Sequence, residues 1–595
     1  MILQALKEYY ERKAADPDSG IAPPGWEKKE LPFLIVISPD GEKVVNIEDT
    51  RSFVGKKLVA KSFLVPQGAN RTSGIIADFL WGDIEYISGY NCKGKEERAI
   101  KKHYVFIDKL KEAVKKSSTA KTVLNLLEKN NILQQLENFS AWEEVKKGGA
   151  FISFRISGHD VPVFREPDII AFVENGGVDQ DISGENKTKE EIIRCCITGN
   201  VDHFTRLHPD IKGVSSPQSR GQSRGGKLVS FDKDAFTSYG KSQGANAPAG
   251  KRAVFAYTTA LNHLLGKDST QKLQIGDATT IFWADKPCEL ENTALLFFSD
   301  APKDDPDRHT EQIRALFRSM DNGSLVTTNA STRFYVLGLS PNAARISIRF
   351  WYHGTVPEMA ERFRQYFDDL SICHSENQQD HLSLWRLLCS TAQQGESKNI
   401  SPNLAGAIMR AVLEGLPFPD TLLNAVLQRI KADSKKNKNK DNDKLYFYPR
   451  AKLIKAYLNR KYRVSNPKNE RSISMSLDLE NNNIGYRLGR LFATLEKIQT
   501  EANPGINATI RERYYAAASS IPVTVFANLM RLKNHHLAKL DPGRGHFFER
   551  LLGEILGEIK SVPAHLDMND QGCFAIGYYH QNQAFYTKTN KNENN

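Results

Sequence analysis

The chain has 595 residues, 40% of them apolar, and a prior of roughly 150 residues per domain predicts about three or four globular units. The formal net charge of +11 favours an anionic partner without saying which one. No run approaches the roughly 18 apolar residues of a membrane helix, and the first residues lack the apolar stretch of a signal peptide, so we expect a cytoplasmic protein without a membrane partner.

The first part of the chain predicts strands that lead into polar loops. Residues 3–10 have helical spacing, and the apolar runs 33–37 and 44–47 flank an Asp40-Gly41 turn, which predicts a hairpin. Residues 57–65 predict a third strand that runs directly into a polar loop. This loop is either a turn after a strand or a segment that reads a short base sequence. Its candidate DNA-binding residues are Gln67, Asn70, Arg71, Thr72 and Ser73.

A second polar loop, residues 215–226, contains mainly turn formers, amides and hydroxyls together with two arginines. Such a segment cannot build a core, whereas its guanidiniums and amides suit phosphates and base edges. We expect this loop and two polar residues that follow it to position a duplex backbone. The candidates are Gln218, Arg220, Gln222, Arg224, Lys227 and Asn246.

Strand formers dominate residues 150–164, 294–300 and 334–352, and the run 251–265 is helical. Asn342 and Arg345 follow a strand, where they either cap a turn or contact DNA. From about Met359 the pattern becomes helical. The clearest 3.6-residue period places five apolar side chains on one face, at Leu488, Leu491, Phe492, Leu495 and Ile498.

The predicted fold class is α+β, with a mixed N-terminal two thirds followed by an all-helical C-terminal bundle. Short connections between the last helices predict that the bundle is antiparallel. We divide the chain into an α+β region of two subdomains, a helical segment with a basic linker, and the bundle. These regions are residues 1–357, 358–470 and 471–595.

The positive charge is concentrated between Lys431 and Arg471, where fourteen Lys and Arg residues face four Asp and Glu residues. Residues 433–443 are of low complexity and predict a linker, and the aromatics and cations that follow suit base stacking and phosphate contact. The alternative is a solvated linker followed by an amphipathic helix with a basic face. The candidate DNA-binding residues are Lys435, Lys436, Lys438, Lys440, Arg450, Arg460 and Lys461.

Several motifs resemble catalytic or metal sites without completing them. Residues 221–227 fit most of a P-loop, but Leu228 stands where a Ser or Thr would hold magnesium. His159-Asp160 lacks further ligands nearby, and the seven cysteines include no C-x-x-C pair. We therefore expect no catalytic residues, no metal and no cofactor.

Several stretches along nearly the whole sequence are distinctive, and none carries a catalytic motif. They are Asn70-Arg71-Thr72-Ser73-Gly74 with Phe79-Leu80-Trp81, residues 207–231, residues 236–248 and 255–262, Phe334 to Arg345, Gly485 to Phe492, and Pro504 to Arg511. In these stretches the sequence closely resembles the large subunit of the type I-C CRISPR Cascade complex.

The resemblance implies a protein that reads a short motif beside the DNA target while guide RNA pairing reads the target itself. It implies that Asn70 to Ser73 and neighbouring loops read the motif, while Arg220, Arg224 and the stretch 431–471 grip phosphates. The implied partners are target double-stranded DNA, guide RNA, the backbone and guide-handle-binding subunits, a small subunit, and a separate helicase-nuclease.

In the family that the sequence resembles, translation can restart internally to give the small subunit. Met475 stands before a nearly neutral segment of domain size, which predicts such a start; an ordinary methionine is the alternative. Two alternatives to this function stay open for the whole chain. One is a guide-processing RNA endonuclease with a general base near a basic groove, and the other is a scaffold that binds only proteins.

Overall fold

The computed structural model describes the chain apart from residues 56, 69–73, 93, 130, 178–190, 215–224, 232, 276–277, 300–310, 313, 316–317, 319–330, 435–439, 466–471 and 587–595. The side chains of residues 57, 129, 275, 402 and 440–446 also lie outside this description. Two compact units are present. The first comprises Met1–Ile211 with Lys227–His263, and the second comprises Lys212–Gly226 with Leu264–Asn595.

The first unit combines short strands with helices. Its strands are β1 (Trp26–Glu30), β2 (Phe33–Ile37), β3 (Val44–Asp49), β4 (Ser52–Val54), β5 (Lys57–Val59), β6 (Ser62–Pro66), β7 (Trp81–Gly82), β8 (Ile152–Ile156), β9 (Ile192–Arg194) and β10 (Val201–His203). Its helices are α1 (Ile2–Ala14), α2 (Ile84–Ser88), α3 (Glu96–Val114), α4 (Ser118–Lys129), α5 (Ile132–Leu136), α6 (Trp142–Val145), α7 (Pro167–Glu174) and α8 (Lys251–Leu264), which ends one residue past the unit boundary.

A four-stranded sheet in the order β3-β2-β8-β7 forms the centre of the first unit. Strand β2 pairs antiparallel with β3, which confirms the predicted hairpin, and parallel with β8. Every residue of β2 is buried because a core packs against both of its faces. The predicted third strand at 57–65 is wrong as a single element, since β5 pairs with β4 whereas β6 pairs with β1.

The second unit joins an antiparallel sheet to a helical region. Its strands are β11 (Lys272–Ile275), β12 (Ala278–Ala284), β13 (Arg333–Asn342) and β14 (Arg345–Thr355). Its helices are α9 (Glu289–Thr293), α10 (Val356–Leu370), α11 (Leu384–Thr391), α12 (Pro402–Glu414), α13 (Asp420–Asp433), α14 (Lys440–Ser465), α15 (Ile484–Ala502), α16 (Ile510–Ala518), α17 (Val523–Leu537), α18 (Pro542–Leu556) and α19 (Met568–Tyr586).

The sheet of the second unit runs in the order β11-β12-β13-β14. Strands β13 and β14 form the hairpin predicted from residues 334–352. The predicted strand at 294–300 is wrong, because Ala294–Phe297 is a 3-10 helix and the neighbouring strand is β12. All seven residues of β12 are buried, so the strand shows no alternation of apolar and polar residues.

One continuous core joins this sheet to helices α10 through α19. Helices α15 and α19 approach closely through glycines, since a Cβ at Gly489 would lie 2.1 Å from the Phe574 carbonyl oxygen. The α+β fold class with a helical C-terminal region is confirmed. None of the helices in the described ranges has both the length and the apolar character needed to cross a bilayer.

Candidate nucleic-acid interface

Residues 231–248 of the first unit, of which 233–242 are exposed, are called the aromatic loop here. Its tip is a tight turn in which Tyr239 has φ 51° and Gly240 has φ 68°. Positive φ at both central residues is typical of a type I′ turn, and the Lys241 N–H donates to the Ser238 carbonyl oxygen at 2.9 Å. The left-handed conformation costs a residue with a Cβ about 1–2 kcal/mol. Other contacts must therefore hold Tyr239 in place.

The side chain of Asn246 ties this turn together. Its Oδ1 accepts the Ser238 backbone N–H at 3.0 Å, and its Nδ2 donates to the carbonyl oxygens of Lys241 and Gln243, both at 2.9 Å. Asn246 therefore shapes the loop from within. Its predicted contact with DNA stays a prediction.

The base of the aromatic loop lies against residues 205–206. A Cβ at Gly244 would lie 2.4 Å from the Arg206 carbonyl oxygen, so only glycine allows this approach. The Arg206 guanidinium donates to Gln243 Oε1 at 2.7 Å. These contacts hold the loop on the framework of the first unit, while the side chain of Tyr239 is 99% exposed.

The aromatic loop is electrically neutral. Lys233 and Lys241 balance Asp232 and Asp234. Phe231 and Phe236 pack edge to face with ring centroids 6.5 Å apart. Aromatic surface with little net charge is suited to contact a flat base rather than a row of phosphates.

Lys227, a predicted DNA contact, binds the protein itself. Its Nζ donates to the His208 carbonyl oxygen at 2.7 Å and pairs with Asp210 at 3.2 Å. The His208 ring is buried against Tyr257, and burial together with the Lys227 charge lowers the pKa of His208 to about 4. Lys227 therefore fixes the chain directly after the second polar loop.

The second polar loop, residues 215–226, is called the arginine loop here. The chain is anchored within the second unit at both ends of this loop. A Cβ at Gly213 would lie 2.5 Å from the Leu265 carbonyl oxygen, and one at Gly226 would lie 2.9 Å from Ile346 Cγ1. The candidates Gln218, Arg220, Gln222 and Arg224 lie outside the described residues.

Gly226, at the far end of the arginine loop, lies beside the turn that contains two predicted residues. Asn342 and Arg345 are paired at the turn of the β13–β14 hairpin, directly beside Ile346. Asn342 is exposed and Arg345 is half-buried. Ala343 between them has φ 53°, which is the left-handed conformation again. No local pattern in the sequence predicts that Gly226 lies beside this turn.

The first polar loop begins at a rigid strand end. The backbone N–H of Gln67, which is half-buried, donates to the Gly25 carbonyl oxygen at 2.8 Å. The indole N–H of Trp81 donates to the Pro66 carbonyl oxygen at 2.9 Å. The candidates Asn70, Arg71, Thr72 and Ser73 lie outside the described residues.

In the described part of the basic stretch after Lys431, residues 447–460 are buried. Helix α14 already begins at Lys440, inside the segment predicted as a linker. The side chain of Arg460 is 2% exposed and pairs with Asp369 at 3.3 Å. Its guanidinium also donates to the carbonyl oxygens of Ala411 and Leu416, at the end of α12. This predicted phosphate contact is therefore placed in the core.

Two lysines of α14 bind the end of another helix. Lys452 Nζ donates to the carbonyl oxygens of Leu370 and Asp380 at 3.2 and 2.8 Å. Lys455 Nζ donates to the carbonyl oxygens of residues 368 and 369. The last carbonyls of a helix lack partners within it and carry partial negative charge. Burial lowers the pKa of Lys452 to about 8.

The other candidates near α14 have different surroundings. Arg450 is buried and donates to the Ser390 carbonyl oxygen at 2.9 Å and to Asp433 at 2.7 Å. Lys461 is one third exposed and lies 3.5 Å from Asp420. The candidates Lys435, Lys436 and Lys438 lie outside the described residues, as does the side chain of Lys440. The candidate interface therefore does not include Arg450 or Arg460.

Sequence reasoning gave Tyr239 no role of its own. The sequence did contain a signal, because Tyr239-Gly240 lies between the polar residues Ser238 and Lys241, and such a pair predicts a two-residue turn. The large aromatic at the first turn position was the unusual feature.

Comparison with protein families gives one match. Residues 6–586 match the family model described as CRISPR-associated protein (Cas_Csd1). Comparison with curated proteins gives no match.

Proposed function

This chain belongs to the Cas_Csd1 family of CRISPR-associated proteins, and from that premise we propose that it is the large subunit of a type I-C Cascade complex. In this proposal it recognises a short motif beside the target in double-stranded DNA. Guide RNA pairing then reads the target sequence itself. The family membership and the matching stretches of the sequence support the proposal.

The anchoring of the arginine loop is the structural observation that carries it. Close glycine contacts fix the chain at Gly213 and Gly226, so the two ends of this segment are already positioned for a ligand. In the sequence, Arg220 and Arg224 precede Gly226, which lies beside the exposed turn at Asn342. Guanidinium and amide groups on one surface suit phosphate oxygens and base edges.

We assign this subunit no bond-breaking step. It opens the duplex after motif recognition and stabilises the R-loop, and a separate helicase-nuclease is recruited for cutting. Its other partners are the guide RNA, the backbone and guide-handle-binding subunits and the small subunit.

Gel shifts of the assembled complex test motif recognition. Duplexes with an intact or a scrambled flanking motif are compared, and Asn70→Ala is expected to remove most of the difference between them. Arg220→Ala and Arg224→Ala are expected to weaken both duplexes and to lower the salt slope by about 1 each. Arg550→Ala, which removes an exposed cation of α18, is the control. Equal binding of both duplexes by the unaltered complex contradicts the proposal.

The endonuclease alternative has a direct test of its own. Purified chain is incubated with precursor guide RNA, and the products are separated on a denaturing gel. We expect the RNA to stay intact. Cuts at defined positions contradict a non-catalytic role.

A separate small subunit translated from Met475 is the second part of the proposal. Residues 475–595 contain α15 through α19, which form most of a helical bundle. In the full chain α19 packs on α14, with Phe447 and Tyr579 stacked 5.9 Å apart, and on α13, with Lys431 bonded to Gln571 at 2.7 Å. A separate copy exposes this face, and we expect it to bind other subunits through it.

A C-terminal tag tests the internal start. We expect an additional short tagged product beside the full chain, and we expect Met475→Ile to remove only that product. Because Met475 is 55% exposed, the substitution leaves the full-length fold intact. Loss of both products, or persistence of the short one, contradicts initiation at this position.

A further inference from the structure

Tyr239 is the most exposed of the large hydrophobic side chains recorded for the described residues, at 99%. An aromatic ring in water loses the burial that usually stabilises it, and its left-handed backbone adds a further cost. Strained residues persist only where the surrounding structure holds them. Here Asn246 and Gly244 hold the turn, so the ring is presented before any ligand arrives.

The surroundings of Tyr239 indicate what the ring can bind. The aromatic loop has no net charge, so it offers little grip on a phosphate backbone. An isolated ring with both faces open matches a flat aromatic partner. The bases inside a duplex are already covered on both faces by their neighbours, so only an unpaired base offers a free face.

We propose that Tyr239 is a stacking platform for an unpaired nucleobase. The inference rests on the proposed function, because it names which part of the DNA this site takes. The ring receives a base from the strand that is released when the duplex opens beside the motif. Lys241, the next residue but one, is the cation of this loop that is nearest to the ring in sequence.

Two DNA probes with the same motif test this proposal on the full chain. One is fully paired, and the other has a short unpaired bubble beside the motif with 2-aminopurine in it. Tyr239→Ala is expected to weaken binding of the bubble probe by about 5- to 100-fold, as loss of one stacked base does, and to leave binding of the paired probe unchanged. Tyr239→Phe and Tyr239→Trp are expected to keep the binding and the quenching of 2-aminopurine fluorescence.

Tyr104→Ala is the matched control, since Tyr104 is 63% exposed on α3. Asn246→Ala is expected to lower binding of the bubble probe less than Tyr239→Ala does, because the ring stays but its position is no longer fixed. Identical melting curves for Tyr239→Ala and the unaltered chain are expected from the full exposure of the side chain.

The outcomes separate this inference from the proposed function. If the unaltered chain prefers the intact motif but Tyr239→Ala changes neither probe, or weakens both equally, only the stacking platform is overturned. If the unaltered chain binds neither probe while the assembled complex prefers the intact motif, only the stacking platform is overturned. If the assembled complex also binds intact and scrambled motifs equally, both proposals are overturned. If Tyr239→Ala releases another subunit while bubble binding persists, the ring contacts protein and the stacking platform is likewise overturned.

Discussion

Helix α14 and the aromatic loop both combine aromatics with cations, yet the structure uses them in opposite ways. In α14 the charged ends of Arg460, Lys452 and Lys455 are turned to carbonyl oxygens at the ends of neighbouring helices. In the aromatic loop the amide of Asn246 satisfies the backbone, and Tyr239 is left in solvent. Backbone carbonyl oxygens without partners at helix ends bind buried cations. A loop whose backbone groups are hydrogen-bonded within the loop leaves its other side chains exposed to bind a ligand.

The difference also concerns what each region contributes. A buried cation that loses its partner costs several kcal/mol, so the α14 contacts are necessary for the fold. Substitution of an exposed side chain usually changes the free energy of unfolding by no more than about 0.5 kcal/mol. The exposed side chains of the loop can therefore serve in binding without being needed for the fold. Dense positive charge in a sequence is therefore insufficient to locate a nucleic-acid surface.

The largest expected effect comes from removing the partner of α14's buried arginine. Asp369→Ala leaves Arg460 at 2% exposure without its carboxylate, and we expect a loss of about 3–5 kcal/mol in the free energy of unfolding. Urea denaturation followed by far-UV circular dichroism measures it. Asp108→Ala, which removes an exposed carboxylate of α3, is the control. A loss below about 1 kcal/mol removes the contrast between the two regions.

Acid is expected to weaken the surroundings of α14. Burial and the Lys455 charge lower the pKa of His580 to about 3, and its ring bonds the Tyr486 hydroxyl. In the unfolded chain the histidine takes up a proton below about pH 6.5, so stability falls as pH drops from there towards 3. Between pH 7 and 5 we expect a loss of about 2 kcal/mol from this group.

Thermal unfolding at a series of pH values measures the effect. His580→Gln is expected to be less stable at pH 7 but to show a smaller slope with pH. An unchanged slope means that other groups cause the acid sensitivity. The aromatic loop contains no histidine, so its base stacking is expected to stay constant over the same range.

Asn246→Ala tests whether the aromatic loop is held from within. Three hydrogen bonds to backbone groups are lost, and we expect the first unit to lose about 1–2 kcal/mol. Hydrogen exchange at the Ser238 amide is expected to accelerate, because its acceptor is gone. Asn528→Ala on the surface of α17 controls for removal of an amide. An unchanged rate of hydrogen exchange at the Ser238 amide would show that the hydrogen bonds of Asn246 do not hold the turn.

The smallest effect is predicted for an exposed lysine. Lys241→Met is expected to change stability by no more than about 0.5 kcal/mol, whereas the same substitution at the buried Lys452 costs about 1–3 kcal/mol. Lys452→Met removes the donor to two carbonyl oxygens while keeping most of the side-chain volume. Chemical denaturation compares the pair, and similar losses for both variants mean that burial does not separate these cations.

Much of the fold could be predicted from local pattern. The 3.6-residue period predicted α15, and the Asp40-Gly41 turn predicted the β2–β3 hairpin. Helix α19 was missed because it is buried along most of its length and shows no polar face. Strand β12 was missed for the same reason, since a fully buried strand does not alternate.

The candidate site was less predictable. The sequence predicts Asn342, Arg345 and Lys227 as polar residues in loops, and the structure adds that Gly226 lies beside the hairpin turn. The exposure of Tyr239 depends on a turn closed by Asn246, seven residues further along. Hydrogen bonds from a side chain to a turn of this kind produce no periodic pattern in the sequence.

The sequence by itself determined the α+β order of the elements, the places of the polar loops and the resemblance to a CRISPR-associated family. Each of these depends on residues that are neighbours in the chain or repeat at a fixed spacing. Only the tertiary structure decided which cations face inward. Arg460 and Asp369 are 91 residues apart, and a helical period fixes the face on which Arg460 lies without fixing what covers that face.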